Sequence, residues 1–295
     1  MILKMFKLGL KNIVTNWKVF FIYYIIVLIV GFTLAMPLNY TIISEIAKSF
    51  TSNLIMESFN LASFLEVIVN VYPGIIKYYS VLLVILFFMI ILISFFLSGG
   101  SLYSYINNEN SVKKFFSEGI NYYFMIMKAF FLILLCYAVS MVLFLIISKF
   151  RWSVIDKKGW EVAHYIILFF SVIFLVFLIN FFTMLFDYVK IYIVRNKESK
   201  ARVAFKEAFS LIWHNIGKTL FLYYIIIFVE IVILFLLILF RWIIQEHRIS
   251  SIIIVIIISQ MMMGVRVIAR LLRYSAQNIM FGELMKEEVI VYEEA

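Results

Sequence analysis

Cysteine, histidine, proline and charge are all scarce in this chain, and each scarcity closes off a class of function. Among 295 residues there are one Cys, three His and two Pro. The lone Cys136 excludes an internal disulfide and any multi-cysteine metal site, and its place inside an apolar run makes it a small packing residue. His164, His214 and His247 fall near the ends of apolar runs, with no H-E-x-x-H pair to hold zinc. No metal or other cofactor is expected. The only aspartates, Asp156 and Asp187, fall on opposite membrane sides in the topology derived below. An intramembrane aspartyl dyad, in which two carboxyls share a proton, is therefore not available. G-x-S-x-G, P-loop and dinucleotide fingerprints are missing as well, so hydrolase, nucleotide-hydrolase and oxidoreductase readings lack support. Charged residues make up 15% of the chain, against about 25% in an average soluble domain.

Apolar residues fill the space left by these absences. They form 65% of the sequence, against roughly 45–50% in a soluble domain, and the mean hydropathy is +1.06. A water-soluble globule could not cover that much apolar surface, and no polar stretch is long enough to make a separate domain, so residues 1–295 read as a single membrane domain. A span needs about 20 mainly apolar residues to cross the hydrocarbon core. Six segments qualify: Trp17–Leu38, Tyr78–Ser98, Asn121–Ser148, Val162–Phe186, Thr219–Phe240 and Ile249–Ile268. The first apolar run, Val19 to Met36, is too long for a signal-peptide h-region and lacks a convincing cleavage site, so it is read as a retained span. The expected class is an all-α, polytopic integral membrane protein with six transmembrane helices.

Orientation follows from Lys and Arg near the span ends. About two thirds of the 26 basic residues fall on one side, in 4–18, 113–128, 190–218 and 266–286. That side, with both termini, is assigned to the cytoplasm. The net charge of +9 does not point to nucleic acid, because the basic residues flank apolar runs rather than forming a polar face with interleaved aromatics. Their expected partners are membrane lipids, the anionic headgroups of the inner leaflet above all. Between Tyr40 and Val71, Ile43, Ile46, Phe50, Leu54, Leu61 and Leu65 recur near helical spacing. This predicts an amphipathic segment over 40–73, lying on the outer face and ending near Pro73-Gly74. Ser98-Gly99-Gly100-Ser101 reads as a helix terminus that allows close backbone approach.

Three segments share one pattern of amphipathic stretch, lysine and apolar span. Phe6-Lys7-Leu8-Gly9 precedes Lys18, Phe116-Ser117-Glu118-Gly119 precedes Lys128, and Phe205-Lys206-Glu207-Ala208 precedes Lys218. The second spans end alike in Ser101-Leu102-Tyr103, Phe186-Asp187-Tyr188 and Leu272-Arg273-Tyr274. Three parallel helical-hairpin repeats over 1–108, 109–200 and 201–286, each opening on an interfacial amphipathic helix, are the expected organisation.

Arg202-Val-Ala-Phe-Lys-Glu-Ala-Phe-Ser-Leu-Ile-Trp-His-Asn-Ile-Gly-Lys218 resembles the A-x-K/R-x-S-F-x-L-x-x-x-N-x-x-K segment of a broad bacterial group. That group includes the membrane domain of glycerophosphoryl diester phosphodiesterases and related six-helix families. The soluble phosphodiesterase domain of some members has no counterpart here, so the resemblance implies an architecture in a bacterial cytoplasmic membrane and not that activity.

Polar residues inside spans are costly and so are candidates for function. Glu230 is the one acid deep in a span, and Gln260 stands at similar depth in the next; a Glu230–Gln260 hydrogen bond competes with a protonatable or cation site. Asn180, Asp187, Arg266, Arg270 and Arg273 gather near the inner ends of the fourth and sixth spans. Equivalent repeat positions could bring Asp187 and Arg273 together, as an ion pair or a headgroup site. The basic run Lys190–Lys206, with Val203, Phe205, Phe209, Ile212 and Trp213, suits a helix on the inner leaflet or a protein partner's docking surface. The expected function is a non-enzymatic module for lipid or amphiphile handling or membrane assembly support. The competing readings are a transporter or channel using Glu230 and Gln260, and an enzyme acting on lipid headgroups through Asp187 and Arg266–Arg273.

Overall fold

The structure is a computed structural model that describes residues 2–46, 61–158, 161–197, 200–244 and 249–294, and every regular element among them is helical. In chain order they are α1 (Ile2–Thr15), α2 (Trp17–Ile46), α3 (Leu61–Asn107), α4 (Val112–Lys158), α5 (Glu161–Asn196), α6 (Ala201–His214), α7 (Ile216–Ile243) and α8 (Ile249–Glu294). Each expected span lies within one longer helix. Among the described residues five helices are long and apolar enough to cross a membrane, and a sixth span arises if α1 and α2, bent by 78° at their junction, count as one. The protein has the architecture of a multi-pass membrane protein. The 46 residues of α8 extend about 70 Å at 1.5 Å per residue, well beyond a hydrocarbon core of about 30 Å. Such helices carry their ends out of the bilayer.

The chain divides into two units, Ile22–Ser94 and the remainder, Met1–Phe21 with Phe95–Ala295. The smaller unit consists of most of α2 and of α3. Residues 40–46 continue α2 and residues 61–73 belong to α3, while 47–60 lie outside the described residues. Contrary to expectation, α3 runs through Pro73-Gly74 without ending there.

The larger unit holds its core at the end where α1 and α6 lie. The α1 helix buries Met5, Gly9 and Ile13, one stripe at i, i+4, i+8, against α8. Gly9 favours this close approach, because a Cβ would stand 3.0 Å from the Ala276 Cβ and 3.2 Å from its Cα, and the helices would have to give by a few tenths of an ångström. The start of α4 meets the end of α3 as closely: a Cβ on Gly100 would lie 2.6 Å from the Phe115 carbonyl oxygen. Gly99-Gly100 therefore serves close approach, as expected, but in mid-helix rather than at a terminus. The α6 helix turns Ala204, Ala208, Leu211 and Ile212 inward and packs on α5 and α4. Along its flank Phe205, Phe209 and Trp213 stack in series, with ring centroids 6.4 and 5.8 Å apart. Trp213 is exposed, as suits an aromatic at a membrane interface.

Asparagines form the elbows. Asn16 Nδ2 donates to the Asn12 carbonyl (3.1 Å), which also accepts from the Asn16 backbone N–H, and Asn215 Nδ2 donates to the Leu211 carbonyl (3.3 Å), an acceptor that the break in the helix leaves without its usual backbone donor. Asn16 also donates to Asn108 Oδ1 at 3.0 Å. Asn108, with φ 50° just beyond α3, holds the left-handed conformation that asparagine tolerates well. The sequence pattern aligns Asn16 with Ile126, and there the amphipathic stretch is no separate helix but the first turns of the unbroken α4.

Candidate functional site

The larger unit encloses a polar cluster contributed by α4, α5, α7 and α8. On α5 the single turn from Asp187 to Lys190 makes an i, i+3 ion pair, Lys190 Nζ to Asp187 Oδ1 at 2.6 Å, with the side chains only 5% and 7% exposed. Lys190 also donates to the Tyr274 hydroxyl of α8 at 3.2 Å. Its ammonium lies 4.4 Å from the Phe186 ring centroid and 4.7 Å from that of Tyr274. A cation held by a carboxylate, a hydroxyl and two ring faces has replaced its hydration shell with protein groups. One residue further on, the Tyr188 hydroxyl donates to Met280 Sδ at 3.4 Å, fastening α5 to α8 a second time.

A second ion pair lies alongside. Arg273 Nη1 of α8 donates to Glu230 Oε2 of α7 at 3.2 Å, both side chains being about one-sixth exposed (17% and 16%). Side chains in a helix lean toward its N-terminus. In the antiparallel α7–α8 hairpin the carboxylate and guanidinium therefore lean toward each other, so a pair forms between residues that are offset along the axes. Tyr223, buried on α7, is within electrostatic reach of Asp187 and Arg273. Tyr137 of α4 and Thr183 of α5 share a 2.7 Å hydrogen bond nearby.

The cluster is self-neutralising, with two carboxylates each committed to its own cation. The expected Glu230–Gln260 bond is replaced by Glu230–Arg273, and Gln260 stands exposed on α8. The expected meeting of Asp187 with Arg273 does not occur either, since each takes another partner. Asn180 donates to the Val176 carbonyl of its own helix at 2.9 Å and takes no part in the cluster. Arg266 and Arg270 are exposed on α8. Lys190, counted in the sequence with the interfacial basic run, is instead the buried centre of the first pair. A clue was the Asp187–Lys190 spacing itself, three residues apart on one helix face. His164 is buried with its ring 5.0 Å from that of Trp152, while His247 lies outside the described residues. Among the described residues no three His, Cys, Asp or Glu side chains gather as a metal site.

Toward the far ends of the two hairpins the packing is quite different. No residue of 141–152 in α4 or of 227–243 in α7 is buried, and in 165–180 of α5 only Ser171 is. Trp242 is 84% exposed. Compared with known proteins, the chain finds no counterpart: no family model, no curated protein and no solved structure matches it.

Proposed function

We propose that this protein is a non-enzymatic membrane module that takes lipid or another amphiphile against its open helices, with α1 and α6 resting on the inner leaflet. The observation that carries this reading is the exposure of the far halves of α4, α5 and α7, where most Phe, Ile, Leu and Val side chains are exposed and only a narrow stripe of each helix is covered. In water each such side chain would cost about 1.5–3 kcal/mol relative to burial, and hydrocarbon removes that cost. Lipid tails are as apolar as leucine, so nothing forces such helices together, and acyl chains can fill the space beside them. The aromatic series Phe205, Phe209 and Trp213, its last two members exposed, beside the basic residues of α6 supports an interfacial position.

An organisation in three parallel repeats is part of the same proposal. Within the larger unit the first stretch of each expected repeat packs on the last helix of another: α4 on the end of α3, α6 on α5, and α1 on α8. The resemblance of 202–218 to phosphodiesterase membrane domains rests on α6 and its elbow, and it adds an architecture only. The transporter reading, by contrast, loses support from the Glu230–Arg273 pair, because a carboxylate already compensated has less charge to offer a passing cation.

Purified protein reconstituted into liposomes containing a fluorescent phospholipid tests the proposal. Faster lipid exchange or transbilayer movement than in protein-free liposomes is the expected result. Unchanged lipid movement together with a protein-dependent cation flux would replace this reading with the transporter one.

A further inference from the structure

We infer that a cavity of about 310 Å³ between α5 and α8, bordered by Ile106 of α3, binds a small phosphate ester that also carries an amine group. Arg195, Asn278, Gly282, Glu283 and Lys286 line it. The volume falls at the lower end of the roughly 300–1,000 Å³ of small-molecule sites, which suits a single headgroup.

Arg195 is set in place rather than left to wander. It stands in the last turn of α5, and its Nη1 donates to the Asn278 carbonyl (3.3 Å) and toward Asn278 Oδ1 (3.5 Å). Its guanidinium carbon lies 5.6 Å from the Phe281 ring centroid. Gly282 makes this pose possible: a Cβ there would come within 2.7 Å of Nη1 and 2.9 Å of Nη2. A methyl group there would push the guanidinium tip off this position.

The charges around the cavity are not matched to one another. Among the described residues Arg195, Lys286 and Glu283 form no ion pair with each other, although all three border the same space. This contrasts with the cluster above, where every charge has its partner. Two cations converging on one cavity suit a phosphate, and the planar fork of arginine can grip two of its oxygens. Glu283, the acceptor on the same wall, suits a donor group a few bonds away on the same ligand, as in phosphoethanolamine.

The ligand could come from a lipid of the adjacent leaflet or from solution, and the test separates these sources. Full-length protein in detergent micelles is titrated with free phosphoethanolamine, and separately with micelles doped with phosphatidylethanolamine or phosphatidylglycerol, while binding is read by native mass spectrometry. The wild type should bind the amine-bearing phosphate at least tenfold more tightly than phosphatidylglycerol. Binding of the lipid alone would mark a headgroup site, and binding of the free ester as well would mark a soluble ligand. Gly282→Ala, which displaces the guanidinium with one methyl group while keeping every charge, and Arg195→Gln should each weaken binding at least tenfold. Arg195→Lys should fall between them and the wild type, and Lys7→Gln on α1 should bind normally. Thermal unfolding of each variant shows whether it is folded. Wild type that binds neither form, or folded Gly282→Ala and Arg195→Gln that bind as the wild type does, would overturn the inference. This site is separate from the open helix halves, so failure of either proposal leaves the other standing.

Discussion

Replacing Lys190 by Met should be among the most damaging single changes in the larger unit, even though methionine nearly matches the lysine stem. Lys190 and Asp187 are 2.6 Å apart and almost fully buried. Removing one partner of such a pair leaves the other charge uncompensated, at a cost of about 3–5 kcal/mol. Because the methionine can still lie against Phe186 and Tyr274, little of that cost comes from packing. At about 2–3 °C per kcal/mol for a chain of this size the midpoint should fall by roughly 6–15 °C. Thermal unfolding in a mild detergent, followed by circular dichroism, reads this directly. The decisive control is Asp187→Leu combined with Lys190→Met. Apolar replacement of both members of a buried pair is often close to neutral, so the double variant should recover most of the loss. A Lys190→Met protein within about 0.5 kcal/mol of the wild type, or a double variant as unstable as its two singles added together, would refute the claim that these charges depend on each other.

Three further outcomes follow from the packing and the second pair. Glu230→Gln should cost about 1.5–3 kcal/mol by removing a charge-assisted hydrogen bond from a partly buried arginine, and a second change, Arg273→Met, should restore part of it in the same unfolding assay. Gly100→Ala brings a methyl group to 2.6 Å from the Phe115 carbonyl oxygen, a backbone atom that cannot swing away, so it should lower stability by at least the roughly 1–3 kcal/mol of an overpacked core. Asn16→Ala should destabilise more than Asn215→Ala, about 2 against about 1 kcal/mol, because only Asn16 also holds Asn108; equal losses would mean that this second bond carries nothing.

The spans were legible because apolarity over about 20 residues is a composition signal that needs no partner. All six fall inside helices, and the unequal lengths of those helices were hidden only because polar ends can continue a helix into water. Pro73-Gly74 shows the limit of punctuation: turn-forming residues lie within an unbroken helix. Pairing was harder to read. Glu230 stood out as a lone buried acid, but estimating its partner from depth along the axis chose Gln260, whereas the lean of side chains along antiparallel helices delivers Arg273. Lys190 was masked by its neighbours, since counting basic residues near span ends assigns each one to water without asking whether an acid stands one turn away. The elbows carried a signal that repeat alignment alone did not weigh: asparagine at 16 and 215 marks a break, while isoleucine at 126 marks a helix that continues.

Cysteine accessibility tests the arrangement most directly, with Cys136→Ala as the background so that each probe is the only thiol. Glu109→Cys and Lys197→Cys lie at the end of the molecule that carries α1 and α6, and Trp152→Cys and Ile244→Cys lie at the ends of the hairpins farthest from it. In intact cells a membrane-impermeant maleimide should label positions 152 and 244 and should reach 109 and 197 only after permeabilisation. Labelling of all four from one side would contradict a structure in which these hairpins cross the bilayer, and labelling of 109 and 197 alone would reverse the proposed orientation.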